Sequence, residues 1–295
     1  MDEVEPGWQR HFLAVLGMSR SGYYAPPAVL AARDARAVAA LQQVHQAHPF
    51  YGVARFALHF GWSEDKARRI RNLAGIRIPR AGKRYKYRRG GKAEIAAPPN
   101  ILHRFALLKN LERPQDGMDY SNMVNAEAWV QDFSYIWFEQ SFCYLAVVLS
   151  LETRQVVGWR LGTNHSSELT YAALLDALSK HKTPAILHSD QGSEYLSHRH
   201  QLLCEQLEIQ LSASNKASPW QNGFMERWFR TLKQELPPLS QLQGLAQLHE
   251  AIAMYIHYYN YDRIHTSLKM SPAAYAASLT PAPLERDRVS GKGGA

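Results

Sequence analysis

The chain has 295 residues, 46% hydrophobic and 20% charged, which excludes a disordered polymer and leaves room for about two ordinary domains. Its formal net charge is +8, and the span from Lys66 to Lys92 holds 12 Lys or Arg and no Asp or Glu, so one segment carries the whole positive excess. Two cysteines, Cys143 and Cys204, with no CxxC pair exclude a disulfide framework and a cysteine-rich zinc site.

The acids Asp2, Glu3 and Glu5 do not suit a signal peptide, and no apolar run approaches the ~18 residues of a membrane span. The expected location is therefore cytoplasmic, nucleoid-associated when the protein is on DNA. In chain order, residues 8–27 read as a short helix and a Ser/Gly/Pro turn. Ala31 to His48 has the Val38, Leu41, Val44 spacing of an amphipathic helix that Pro49 ends. A second helix is expected over Tyr51 to Phe60, Gly61 takes the turn, and Ser63 caps a third helix to Leu73 with Glu64 and Asp65 in its first turn.

Helix, turn and a helix bearing Lys66, Arg68, Arg69 and Arg71 is the pattern of a helix-turn-helix DNA reader. Residues 1–76 are thus expected to be a small all-α DNA-binding region. Residues 77–120 read as a basic linker and connector in which Lys83, Arg84, Lys86, Arg88 and Arg89, interleaved with Tyr85 and Tyr87, suit a phosphate backbone; a solvated charge run is the alternative.

Beyond the linker the pattern becomes mixed α/β. Trp129 to Trp137, Cys143 to Leu151 and Gln155 to Leu161 are three strand-like runs with short gaps, the signature of an antiparallel meander. A helix over Ser166 to His181, a strand over Ala185 to Ser189, a helix over Ser197 to Leu207 and a strand over Ile209 to Ala213 follow. Helices over Pro219 to Glu235 and Leu242 to about Tyr259 complete the expected elements. This is the order of an RNase H-like domain, a mixed five-stranded sheet flanked by helices, expected over 121–278 with a flexible tail over 279–295. That topology sets the first strand beside the fourth.

Three acids stand out. Asp132 lies mid-strand, where aspartate is disfavoured; Asp190 follows the strand Ala185-Ile186-Leu187, at the edge where α/β sheets bind ligands; Glu226 sits in a helix beside Phe224, Met225, Trp228 and Phe229 and is expected to be partly buried. Each alone is commonly a turn former, a cap or a solvated side chain. Together, unpaired, they would repel, and hard divalent cations such as Mg²⁺ or Mn²⁺ resolve that conflict. Two ions roughly 3.5 to 4 Å apart would stabilise the attacking and leaving oxygens of an in-line displacement without a covalent nucleophile.

Thirty-five residues separate Asp190 from Glu226, and with Asp132 upstream this resembles the DD(35)E signature of retroviral integrases and bacterial insertion-sequence transposases. WVQDFSYIWF (129–138), HSDQGSEYLS (188–197) and SPWQNGFMERWFRTLKQE (218–235) resemble the family's two aspartate motifs and its glutamate helix. LGMSRSGYYAP (16–26), HPFYG (48–52) and YYNYDRIHTSL (258–268) followed by SPAAY are similar to the second-frame transposase of the insertion-sequence-three family. Two departures are Ala54 before Arg55, where that family commonly has paired arginines, and SPWQNG in place of an aspartate-bearing version.

The resemblance implies a DDE transposase with Asp132, Asp190 and Glu226 as catalytic metal ligands, probing DNA ends with Arg230 and Lys233, one and two helical turns beyond Glu226. His188 is expected near the active site, against DNA. Implied partners are terminal repeats and target DNA, further copies of the chain in a dimer or larger assembly, and an upstream-frame helix-turn-helix product, separate or fused. A silent DNA-binding regulator and an RNase H-like nuclease are the alternatives.

Overall fold

The computed structural model describes residues 11, 13–15, 17, 27–79, 97–102, 107–108, 118–119, 128–215 and 222–279. The chain divides into two compact units, Met1–Arg80 and Ala81–Ala295. Most of the expected linker, all of the expected 279–295 tail except Leu279, which ends a helix, and most of the first expected helix lie outside the described residues.

In the first unit, α1 spans Pro27–Ala47, α2 Val53–Phe60 and α3 Glu64–Leu73. Leu41, Tyr51, Phe56, Ala67 and Ile70 are fully buried between them. α2 begins two residues later than the sequence suggests because Tyr51 serves as a core plug stacked on His48, ring centroids 4.3 Å apart. Gly61 ends α2 at φ 63, a left-handed conformation that favours glycine, and its N–H donates to the Ala57 carbonyl. Ser63 caps α3 as expected, its hydroxyl accepting from the Lys66 N–H at 3.3 Å, with Glu64 and Asp65 at the positive end of the helix dipole.

The second unit is built on a five-stranded sheet: β1 Ala128–Phe138, β2 Ser141–Ser150, β3 Val156–Gly162, β4 Ile186–Ser189 and β5 Gln210–Ala213. Its order is β3-β2-β1-β4-β5, with β1, β2 and β3 antiparallel in turn and β4 and β5 parallel to β1. The meander and the pairing of first with fourth strand are as the sequence indicates. This is the mixed sheet of an RNase H-like domain. Glu139 and Gln140, at φ 44 and 65, make the two-residue turn between β1 and β2, whose twist suits the strands it joins.

Helices α4 Ser167–Leu178, α5 His198–Gln206, α6 Gly223–Glu235 and α7 Gly244–Tyr261 surround the sheet. Strand alternation sorts the core into two layers. Ala128, Val130 and Ile136 of β1, with Val147 and Leu149 of β2, meet Met225, Trp228, Leu248 and Ile252 of α6 and α7. Trp129 and Phe133, with Ala146 and Val148, meet Ala173, Leu174 and Cys204 of α4 and α5. On the latter side β3 comes so close to α4 that a Cβ at Gly158 would lie 2.4 Å from the Ala173 carbonyl oxygen.

On the former side the Asn260 amide extends β3, accepting from the Val156 N–H and donating to its carbonyl, both at 2.9 Å. α8, Pro272–Leu279, adds a helix beyond the last element read from the sequence.

Candidate active site

The parallel register of β1 and β4 pairs Ala128 with Ile186, Trp129 with Leu187 and Val130 with His188. Asp132, the fifth residue of β1, and Asp190, the residue just after β4, each lie two residues beyond the last of these pairs, so continuing the same register sets the middle of β1 beside the carboxyl end of β4. Asp132 also pairs across the antiparallel side with Val147, which belongs to the core layer covered by α6 and α7. Its side chain therefore shares the face on which α6 lies. Both aspartates are half-buried. Asp132 Oδ1 accepts from the Phe133 N–H at 2.8 Å, and Asp190 Oδ1 from the Gly192 N–H at 2.9 Å, which turns the chain sharply after β4.

Glu226 occupies the first turn of α6. The expectation of partial burial is corrected: Met225, Trp228, Phe229 and Leu232 take the core face, and a residue one position past Met225 is rotated about 100° away, so Glu226 is exposed. Arg230 and Lys233 are exposed on the same stripe, as their i+4 and i+7 spacing requires. Among the described residues no three His, Cys, Asp or Glu side chains are gathered closely enough to cage a metal. The all-oxygen donors of the aspartate pair suit Mg²⁺ or Mn²⁺, which accept one or two carboxylates with water and phosphate oxygens making up the rest. Glu226 is exposed on its helix, whereas the two aspartates are half-buried.

His188 is corrected as a DNA contact. It is fully buried, its Nδ1 2.9 Å from the Ser212 hydroxyl and its Nε2 3.0 Å from that of Ser214. Ser212 Oγ already accepts from the N–H groups of Ile101 and Leu102, so its proton points to Nδ1 and His188 donates from Nε2 to Ser214. Burial lowers its pKa to about 4, leaving it neutral and tying β4 to β5 directly beneath Asp190. A similar tie lies under Asp132, where Gln131 meets buried His200 at 3.1 Å.

One acid went unnoticed in the sequence. Glu194, four residues past Asp190, is 5% exposed and 3.4 Å from His165. Only its place in the DQGSEY turn could have drawn attention to it.

In the helical unit, Lys66 Nζ lies 4.5 Å from the centre of the Trp62 ring and Arg68 pairs with Asp65 at 2.9 Å. Arg69 grips both carboxylate oxygens of Asp34 on α1, and that hydrogen bonding holds the Asp34 carboxyl below its ordinary range. Arg71 donates to the Asn72 side chain at 3.3 Å. Lys66 and Arg71 are half-buried, whereas Arg68 and Arg69 are exposed. Lys83, Arg84, Lys86, Arg88 and Arg89 lie outside the described residues. Among the described residues no helix is long and apolar enough to cross a membrane.

Two family models, both described as integrase core domain, match residues 125–219 and 207–272. The transposase for insertion sequence element IS904 of Lactococcus lactis is 29% identical over 231 residues, covering 76% of this chain and 86% of that protein. Transposase InsF for insertion sequence IS3A of Escherichia coli is 32% identical over 111 residues, 37% of this chain and 38% of the relative. Among solved structures, the catalytic core of HTLV-2 integrase in complex with magnesium aligns with a TM-score of 0.42 at 19% identity, covering 51% of this chain and 95% of that one. With integrase-core matches running from residue 125 to 272 and insertion-sequence transposases among its relatives, the chain belongs to the DDE transposase/integrase superfamily.

Proposed function

We propose that this protein is the transposase of a bacterial insertion sequence, cleaving and joining DNA strands at the ends of its element by divalent-metal-dependent phosphoryl transfer. The observation that carries this reading is the parallel register of β1 and β4, which sets Asp132, in the middle of β1, beside Asp190, at the carboxyl end of β4. The IS904 transposase, aligned over 76% of this chain, supports the substrate class.

Asp132 and Asp190 would hold Mg²⁺ or Mn²⁺, with Glu226 as the third carboxylate and two ions in the complete site. The ions, when bound, activate the attacking hydroxyl and stabilise the leaving oxyanion. The chain's own groups do the rest. Gly192 N–H fixes one oxygen of Asp190, Phe133 N–H fixes one of Asp132, and the stripe of Arg230 and Lys233 beyond Glu226 offers cations to DNA phosphates. The α3 cations and the basic segment 83–89 supply further phosphate contacts. Assembly as a dimer or larger complex on DNA, with or without an upstream-frame product, belongs to the same reading.

The exposed Glu226 and the lack of a three-acid cage among the described residues favour one second reading, a DNA-occupying regulator that does not cut. Incubating the chain and its Asp190→Asn variant with end-labelled terminal repeats and Mg²⁺ separates the two. Nicking and joining by the parent that the variant lacks supports the enzyme; retention of binding by both with no cleavage by either supports the regulator.

A further inference from the structure

Two carboxylates share one small space beside the aspartate pair. A Cβ placed on Gly192 would lie 2.5 Å from Glu194 Oε1 and 2.9 Å from Asp190 Oδ1, so any larger residue there would force one of these carboxylates to shift. The constraint is close approach, since Gly192 has no left-handed backbone. Glu194 is held there from three sides. Its side chain faces His165 Nε2 at 3.4 Å, the Ser193 hydroxyl lies 3.4 Å from Oε2, and its carbonyl accepts from Thr170 Oγ1 of α4 at 3.5 Å.

His165 is itself fixed in a ring of aromatics. Its centroid is 4.3 Å from that of Phe133, 5.6 Å from Tyr144 and 6.2 Å from Tyr135. Phe133 is the residue whose N–H orients Asp132. A continuous path of contacts therefore runs from Asp132 through Phe133, His165 and Glu194 to the Gly192 turn that orients Asp190.

We infer that Glu194 and His165 are positioning residues, a brace beneath the metal site that sets the spacing of Asp132 and Asp190 for divalent-ion binding. The inference rests on the reading of those aspartates as metal ligands. A buried carboxylate so close to Asp190 would be a costly choice for packing alone. Placed behind a ligand loop with the His165 imidazole 3.4 Å away, it acts as an outer-shell partner whose removal weakens metal binding by about 10- to 100-fold.

The test uses the full chain without DNA. Mn²⁺ binding is followed by electron paramagnetic resonance for the parent, Glu194→Gln, His165→Gln, the double variant and Asp190→Asn, with thermal melts of each metal-free protein. Glu194→Gln keeps side-chain size, and His165→Gln decides the matter should the first variant fail to fold. The brace predicts Mn²⁺ dissociation constants raised about tenfold or more in each single variant, with the double variant no worse than the weaker single because the two act as one unit. Dissociation constants within twofold of the parent in folded single variants overturn the brace while leaving the aspartate site standing. Unchanged Mn²⁺ binding by Asp190→Asn overturns the metal-ligand reading and the brace with it.

Discussion

The Arg263 guanidinium donates to both carboxylate oxygens of Glu235 at 2.7 Å, and both side chains are 6% exposed. Glu235 is the last residue of α6, whose first turn bears Glu226, and Arg263 lies just past the end of α7. Tyr255 of α7 adds a hydrogen bond to the same carboxylate at 3.3 Å. The pair thus clamps the helix of the third acid to its neighbour on the sheet.

Arg263→Ala leaves that carboxylate buried without its cation and is expected to cost about 3 to 5 kcal/mol of stability. Urea unfolding of the parent and variant measures it. A loss well under 1 kcal/mol would mean that the clamp is dispensable and that α6 is seated by its apolar face alone.

Gly158→Ala drives a methyl group into the Ala173 carbonyl and to 2.7 Å from the Ala177 Cβ. α4 must back away from β3, with an expected cost of about 1 to 3 kcal/mol, as for other overpacked cores. The midpoint of thermal unfolding should fall accordingly. An unchanged midpoint would show that α4 moves freely over the sheet.

Burial lowers the His200 pKa from 6.5 to about 4, so the imidazole is neutral in the fold but protonates in the unfolded chain. The unfolded state therefore binds the extra proton between pH 6.5 and 4. The contribution of His200 is complete above pH 6.5 and declines as pH falls toward 4, by up to about 3 kcal/mol. His200→Gln should flatten this part of the stability profile, read by denaturant melts at pH 7, 5.5 and 4.5. Equal slopes for the parent and the variant would assign the acid sensitivity elsewhere.

The stripe of Arg230 and Lys233 should contact phosphates. Replacing both by Ala is expected to weaken duplex binding and to reduce the slope of log affinity against log salt by about 2, one counterion release per lost contact. Fluorescence anisotropy across a salt series gives the slope. An unchanged slope would place these cations away from DNA.

The sequence reveals the sheet readily because β1, β2 and β3 are runs of Val, Ile, Leu and aromatics with short turns, and local alternation governs them. Asp132 and Asp190 were legible for a related reason, each an acid set against an apolar strand. The exposure of Glu226 was not. Composition around it suggested burial, whereas the phase of α6, fixed by Met225, Trp228, Phe229 and Leu232, decides it. His188 misled for the opposite reason: its motif pointed to the surface, while Ser212 and Ser214, 24 and 26 residues away, satisfy it inside. The neighbourhood of Glu194 was equally hidden, since its partner His165 approaches from the other side of α4 in the chain order.

Anomalous diffraction from Mn²⁺ in crystals of the chain bound to a terminal-repeat duplex tests the central claim most directly. The account predicts a manganese peak ligated by carboxylate oxygens of both Asp132 and Asp190, lost in Asp190→Asn. Manganese bound elsewhere, with neither aspartate among its ligands, would contradict it.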